Sequence, residues 1–249
     1  MNSSIELVQN RLVVVTGASR GLGLAIAEAL SHQDWTVVGA ARTCSDALQR
    51  LIDQQEDRVT FRRLDLADHR NLHSFSAQLI SDLGEPYGLI NNASIAHTGV
   101  LGTQHESEIE SMIGVNVTGT IILTKYLSRS MLRSQRGRIV NVSSIIAESG
   151  SSGMSVYAAT KAAMNGFTRS LARELGRCNI TVNAIAPGYM ATDMSSGIND
   201  AQLQQIARRS PLRRLTRVEE VASAVCYLLS DGAASTTCTV MTLDAGATA

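Results

Sequence analysis

The chain has almost no lysine: among 249 residues only Lys125 and Lys161 carry an ammonium group, against 20 arginines. It also lacks net charge, because 22 basic and 22 acidic side chains cancel. A zero balance supplies no global positive field of the kind that attracts nucleic acid or an anionic membrane surface. The arginines are spread along the chain, and the tightest pairs (Arg62-Arg63, Arg208-Arg209, Arg213-Arg214) are too short for a nucleic-acid tract. Most are expected on the solvated surface. Cys44, Cys178, Cys226 and Cys238 form no CxxC pair and show no metal-ligand spacing, so no metal site is expected. In a chain of this length they read as reduced thiols of a reducing compartment. No stretch approaches the run of about 18 apolar residues that a membrane span requires. The opening MNSSIELVQN has neither a basic region nor an apolar core, so no secretory signal is expected. These absences predict a cytoplasmic protein with no nucleic-acid or membrane partner.

What is present is a globular composition, 44% hydrophobic and 18% charged. Apolar, β-branched runs recur along it: LVVVT (12–16), WTVVGAA (35–41), VTFRRLD (59–65), YGLINNA (87–93), GRIVNVSS (137–144), NITVNAIAP (179–187) and TVMTLDA (239–245). Helical patterns lie between them, such as 22–30 and the long stretch 106–136. Continuous Val/Ile-rich runs alternating with amphipathic segments predict an α/β fold, a doubly wound Rossmann-type domain of about seven mostly parallel strands with helices on both faces. No repeat, low-complexity tract or linker divides residues 1–249. Periodicity weakens after Pro187-Gly188, which makes 188–215 the segment of elaboration.

The turn TGASRGLG (16–23) follows the first strand and opens the first helix. Gly17, Gly21 and Gly23 permit a tight turn and let backbone N–H groups approach a pyrophosphate. By itself a three-glycine turn is also compatible with a purely structural loop; its place in a βαβ pattern favours a dinucleotide. An NAD site usually offers an acid near the end of the second strand. Here that region reads Gly39-Ala40-Ala41-Arg42-Thr43, with no carboxylate before Asp46. Arg42, with Arg20 in the turn, could pair with a 2′-phosphate, which predicts NADP(H).

One of the two lysines lies in YAATK (157–161), four residues after a tyrosine and so on the same helix face. Together TGASRGLG, NNA (91–93), Asn116, Ser143-Ser144, YAATK and APG (186–188) resemble, in order and spacing, the short-chain dehydrogenase/reductase family over essentially the whole chain. Within it, TGASRG and PGYMATDM (187–194) are most similar to 3-oxoacyl-(acyl-carrier-protein) reductases. The resemblance implies Tyr157 as catalytic acid, Lys161 as its partner, Ser144 as the carbonyl-binding serine and Asn116 as holder of a water linking Lys161 to solvent. Ser144 is preferred to Ser143 because it stands thirteen positions before Tyr157. For the cofactor the resemblance implies Gly17, Ser19, Arg20, Gly21, Leu22 and Gly23 of the turn, then Arg42, Asp65 and Leu66. It adds Asn91 and Ala93 under the adenosine and ribose, Tyr157, Lys161, Pro187, Gly188 and Thr192.

The chemistry suits a carbonyl reduction, which needs an acid beside the oxygen. Tyrosine titrates near 10, and a fixed ammonium one turn away should lower that value. A serine hydroxyl would hydrogen-bond the oxygen as charge develops. Two departures stand out. Ser94 occupies a position where that family usually has glycine, and its hydroxymethyl would crowd the nicotinamide ribose or add a hydrogen bond. LDAG (243–246) replaces a common DGG in a region that in relatives lies at a subunit interface, where a homotetramer or homodimer is implied. Tyr189, Met190, Met194 and Ile198 would line an apolar substrate entrance, or simply pack onto the domain. Arg129, Arg133 and Arg136, or Arg169, Arg173 and Arg177, recur at helical spacing and could dock an acidic acyl carrier protein, or be solvated faces. Three functions follow: reduction of a 3-oxoacyl thioester, reduction of another ketone (acetoacetyl-CoA, a polyketide intermediate or a xenobiotic carbonyl), and dinucleotide binding without turnover.

Overall fold

In the first apolar run, alternate side chains go to opposite sides. β1 (Leu12–Thr16) sends Val13 and Val15 into one buried cluster and Leu12 and Val14 into another. Period-two alternation with both faces covered is the reason such strands read as continuous apolar runs. The computed structural model describes residues 11–190 and 200–249. Around β1 it assembles β2 (Thr36–Ala41), β3 (Val59–Arg63), β4 (Gly88–Asn91), β5 (Gly137–Val142), β6 (Ile180–Pro187) and β7 (Val240–Leu243). Their order across the sheet is β3-β2-β1-β4-β5-β6-β7, with every neighbouring pair parallel.

Helices α1 (Gly21–Ser31), α2 (Asp46–Gln54) and α9 (Val218–Leu229) cover one face, through Ile26, Leu30, Leu48, Val221 and Val225. The other face is covered by α3 (Leu72–Leu83), α5 (Thr120–Ser134) and α7 (Ser155–Leu175), through Leu72, Leu79, Leu123, Leu127 and Leu171. A fully buried leucine contributes roughly 2–3 kcal/mol of transfer free energy, so two such layers supply the main favourable term. The remaining helices are α4 (Glu106–Ile113), the short α6 (Ile146–Ser149) and α8 (Asp200–Arg209).

The long helical stretch expected over 106–136 is interrupted. Between α4 and α5 the chain widens into a π-helical segment, Gly114–Gly119. At its end a Cβ on Gly119 would lie 2.1 Å from the Leu66 carbonyl oxygen, so only glycine lets this helix pass so close to the strand-end loop. The strand order reverses direction between β1 and β4, and the crevice at the carboxyl ends there is where open α/β sheets bind ligands. The glycine turn, the Asn91–Ser94 loop and the ends of β5 and β6 all converge on that edge.

Candidate active site

The glycine turn is built by backbone proximity. Gly17 has φ +70° and Gly21 φ +54°, both in the left-handed region. A Cβ on Gly23 would stand 2.2 Å from the Gly17 carbonyl oxygen, and one on Gly17 would stand 2.9 Å from the Ala93 Cα. Helix α1 begins here with no side-chain cap and no acid in its first turn. Its opening N–H groups, uncapped by side chains, form a positive helix terminus that fits a diphosphate. Ser45 caps α2 by accepting from Leu48 N at 3.2 Å and donates its own hydroxyl to the Ser19 carbonyl. That bond joins the loop after β2 to the glycine turn, and exposed Arg20 and Arg42 flank it. Sequence reasoning missed Ser45. A serine before an amphipathic helix announces a cap, but not its second partner.

Thr16, at the head of the turn, fastens the neighbouring strand. Its hydroxyl donates to the Ile90 carbonyl at 3.1 Å and accepts from the N–H groups of Asn92 and Ala93, each at 3.0 Å. The Asn92 amide returns to the Thr16 carbonyl at 2.9 Å. Asn91 does something else: its buried amide donates to Thr124 Oγ1 at 2.9 Å and Asn141 Oδ1 at 2.8 Å, within the core between β4, β5 and α5. Its side chain is therefore occupied in the core, and what Asn91 can offer a ribose is its backbone. Asp65 is exposed and closes a turn by accepting from Ala67 N at 3.0 Å; Leu66 beside it is buried.

Asn116 is a clamp. From within the π-helical segment its Oδ1 accepts from Ile95 N and its Nδ2 donates to Ile95 O, both at 2.8 Å. The same Nδ2 also lies 3.1 Å from Thr160 Oγ1 on α7, whose hydroxyl donates to the Tyr157 carbonyl at 2.8 Å. These bonds tie the loop after β4 directly to the helix carrying Tyr157. His69 adds a contact to the segment, its Nε2 lying 2.9 Å from the Gly114 carbonyl oxygen.

On α7 the buried residues Tyr157, Thr160, Lys161, Met164, Thr168 and Leu171 fall at helical spacings of three and four, one inward face. Tyr157 and Lys161 are both buried, at 7% and 4% exposure. The lysine Nζ lies 5.6 Å from the centroid of the tyrosine ring and donates to the Val142 carbonyl, at the end of β5, at 2.8 Å. Burial of the phenol is the largest influence on it and pushes it up to about 12, with the nearby Ser94 hydroxyl acting the other way. Burial also pushes Lys161 down to about 8. The expectation that the ammonium would lower the phenol's pKa is corrected here, because desolvation of the phenolate outweighs the other influences. The tyrosine is a neutral acid near pH 7, and the lysine can exchange a proton not far above it.

The two serines at the end of β5 separate clearly. Ser143 is buried and donates to the Lys161 carbonyl at 3.2 Å, bracing α7. Half-buried Ser144 accepts from Ile146 N at 3.3 Å, which leaves its hydroxyl proton available to an incoming oxygen. Pro187 ends β6 and its carbonyl accepts from Ile145 N at 3.1 Å, drawing the ends of β5 and β6 together. A Cβ on Gly188 would meet Asp244 at 2.8 Å. Tyr189 packs in the apolar cluster of Met112, Ile145, Ile146 and Tyr157, whereas Met190 packs against the α1/α9 core. Thr192, Met194 and Ile198 lie outside the described residues. Among the described residues there is no group of three or more His, Cys, Asp or Glu placed to hold a metal.

The family model described as Enoyl-(Acyl carrier protein) reductase matches residues 17–248. The 3-oxoacyl-[acyl-carrier-protein] reductase FabG of Pseudomonas aeruginosa is 35% identical over 241 residues, covering 96% of this chain and 98% of its own. Nodulation protein G of Rhizobium sp. (strain N33) is 37% identical over 227 residues, covering 91% and 92%. Among solved structures, a gluconate 5-dehydrogenase from Burkholderia cenocepacia J2315 in complex with NADP and tartrate superposes with a TM-score of 0.91 at 25% identity, over 96% of this chain and 95% of its own. With a parallel seven-stranded sheet, the glycine turn at the β1/β4 switch point and Tyr157 above Lys161 on one buried helix face, the chain belongs to the short-chain dehydrogenase/reductase family of oxidoreductases.

Proposed function

We propose that the chain reduces 3-oxoacyl thioesters carried on acyl carrier protein to their 3-hydroxyacyl products, with NADPH. The observation that carries the chemistry is the buried, protonated Tyr157 beside a lysine whose pKa has been brought down to about 8. The relatives named above supply the substrate class. NADPH, when bound, supplies the hydride that the carbonyl carbon accepts. The residues Gly17, Ser19, Arg20, Gly21, Leu22 and Gly23 would hold its diphosphate, with Arg20 and Arg42 meeting the 2′-phosphate. Asp65, Leu66, the Asn91 and Ala93 backbone, Pro187, Gly188 and Thr192 would complete the cradle.

Tyr157 Oη then gives its proton to the substrate oxygen as negative charge builds there, and Ser144 donates a hydrogen bond to the same oxygen. Lys161, able to gain and lose a proton near neutrality, favours the phenolate that remains. Asn116 keeps the loop after β4 and α7 in register during this transfer.

The segment 188–215 would cover the acyl chain, within one domain that spans residues 1–249. Of the two arginine stripes, that on α5 is largely engaged: Arg133 makes a two-nitrogen contact with Glu85 Oε1 at 2.9 and 3.2 Å, and Arg129 and Arg136 lie over tyrosine rings. Exposed Arg169, Arg173 and Arg177, along and just beyond α7, make the better docking face for an acidic carrier. A cytoplasmic homotetramer or homodimer fits this reading; among the described residues no helix is long and apolar enough to cross a membrane.

NADPH oxidation, followed by absorbance with acetoacetyl groups on acyl carrier protein and on coenzyme A, tests the proposal. A strong preference for the carrier form supports it. A second reading, an NADP-linked ketone–polyol couple, is favoured by the likeness to the gluconate 5-dehydrogenase. It would gain from turnover of a free keto-acid equal to that of the thioesters.

A further inference from the structure

The loop after β3 meets the π-helical segment at both of its ends. That loop is a run of tight turns: Ala67 N donates to Asp65 Oδ1 at 3.0 Å, His69 N to the Ala67 carbonyl at 3.1 Å, and Asn71 N to the Asp68 carbonyl at 3.1 Å. Leu66 anchors it in the core. From the loop, half-buried His69 reaches the first residue of the segment, its Nε2 2.9 Å from the Gly114 carbonyl oxygen. A carbonyl can only accept, so Nε2 carries the proton. At the far end the Leu66 carbonyl lies against Gly119, where a Cβ would come within 2.1 Å.

The two contacts differ in kind. The approach of Leu66 to Gly119 is steric, so it resists compression and does nothing to prevent separation. The His69 bond is attractive and holds the end where the helix widens. Side chains serve two successive carbonyls there, His69 on Gly114 and Thr120 Oγ1 on Val115 at 3.2 Å. Between the contacts sits the clamp: Asn116 holds Ile95 through N and O and reaches Thr160, whose hydroxyl donates to the Tyr157 carbonyl. Met112, two residues before Gly114, accepts from His97 N at 3.4 Å and shares the apolar cluster of Tyr157. A segment that moved at Gly114 would therefore carry the loop after β4 and α7 with it.

We infer that His69 is a positioning residue that links the adenine end of the cofactor site to the catalytic helix. It fastens the loop bearing Asp65 and Leu66 to the segment bearing Asn116, so a nucleotide that settles the first also settles Ile95 and α7. The inference rests on Asp65 and Leu66 being cofactor residues and Tyr157 the proton donor. Such a link is reciprocal: order imposed at either end is felt at the other.

His69→Leu removes the donor, and His69→Gln keeps one on a side chain of similar reach. The probe is adenosine 2′,5′-bisphosphate, which has the adenine end of NADPH and no nicotinamide. Hydrogen exchange is followed over 94–99 and 112–120, with kcat for acetoacetyl-acyl carrier protein measured beside it. In the unsubstituted chain the probe should slow exchange in both stretches about tenfold. His69→Leu should still bind the probe, lose that protection and lower kcat about tenfold, the loss expected for one hydrogen bond to a partly buried carbonyl. Gln should restore both, and His69→Asn, too short to reach, should repeat the defect should Leu fail to fold. Protection that survives in Leu would overturn the inference. So would a changed affinity for the probe with protection and kcat intact, since that places the imidazole against the nucleotide alone. Protection that Leu abolishes, in a chain that reduces no thioester, would uphold the link and remove only the proposed substrate.

Discussion

Burial acts on Tyr157 and Lys161 in opposite electrical senses, raising the acid to about 12 and lowering the base to about 8. Both shifts favour the neutral form, and both leave a signature in stability. Between about 8 and 10.5 the unfolded chain holds the lysine proton that the folded chain has released, so raising pH through that window stabilises the fold. Between 10.0 and about 12 the unfolded chain has lost the tyrosine proton that the folded chain retains, so stability then falls as pH rises. Thermal melts should show the rise flattened in Lys161→Met; a rise identical to wild type would mean the lysine is not the buried group responsible. The same logic keeps Tyr157 charged with its proton for reduction at neutral pH. Arg42 belongs to this scale too. Arg42→Asp is predicted to weaken NADPH binding at least tenfold and NADH binding far less, read by fluorescence titration. Equal losses would place the guanidinium away from the 2′-phosphate.

The tyrosine–lysine pair was legible because a spacing of four on an apolar-faced helix puts two side chains together by local geometry alone. The partners of Asn116 were not, because Asn116 sits in a π-helical segment and reaches a loop 21 residues away and Thr160 on α7. Nothing in the pattern 106–136 announces the widened turn. Its physical trace is Gly119, which has no room for a methyl group beside the Leu66 carbonyl. Gly119→Ala must push the segment off that loop, and overpacking of this kind costs about 1–3 kcal/mol. Denaturant unfolding should report that loss, with kcat falling as Asn116 is displaced from Ile95 and Thr160. A variant as stable and active as wild type would show that the segment does not hold the clamp.

At the scale of the molecule, the parallel sheet was readable because each strand is buried on both faces and leaves a continuous apolar run. Its order across seven strands needs the long-range pairings of β1 with β4 and β6 with β7, which no local pattern encodes. The fold gathers four strand ends, the glycine turn and α7 along one edge, and the catalytic account depends on that convergence.

The measurement that bears most directly on the whole account is the paired determination of NADPH affinity and reductive kcat in Tyr157→Phe, with acetoacetyl-acyl carrier protein as substrate. Removing only the phenolic oxygen leaves the ring in its apolar cluster, so binding should stay within about twofold while kcat falls by about two to four orders of magnitude. A variant that binds NADPH normally and still reduces the thioester at a comparable rate would contradict the assignment of Tyr157 as the proton donor.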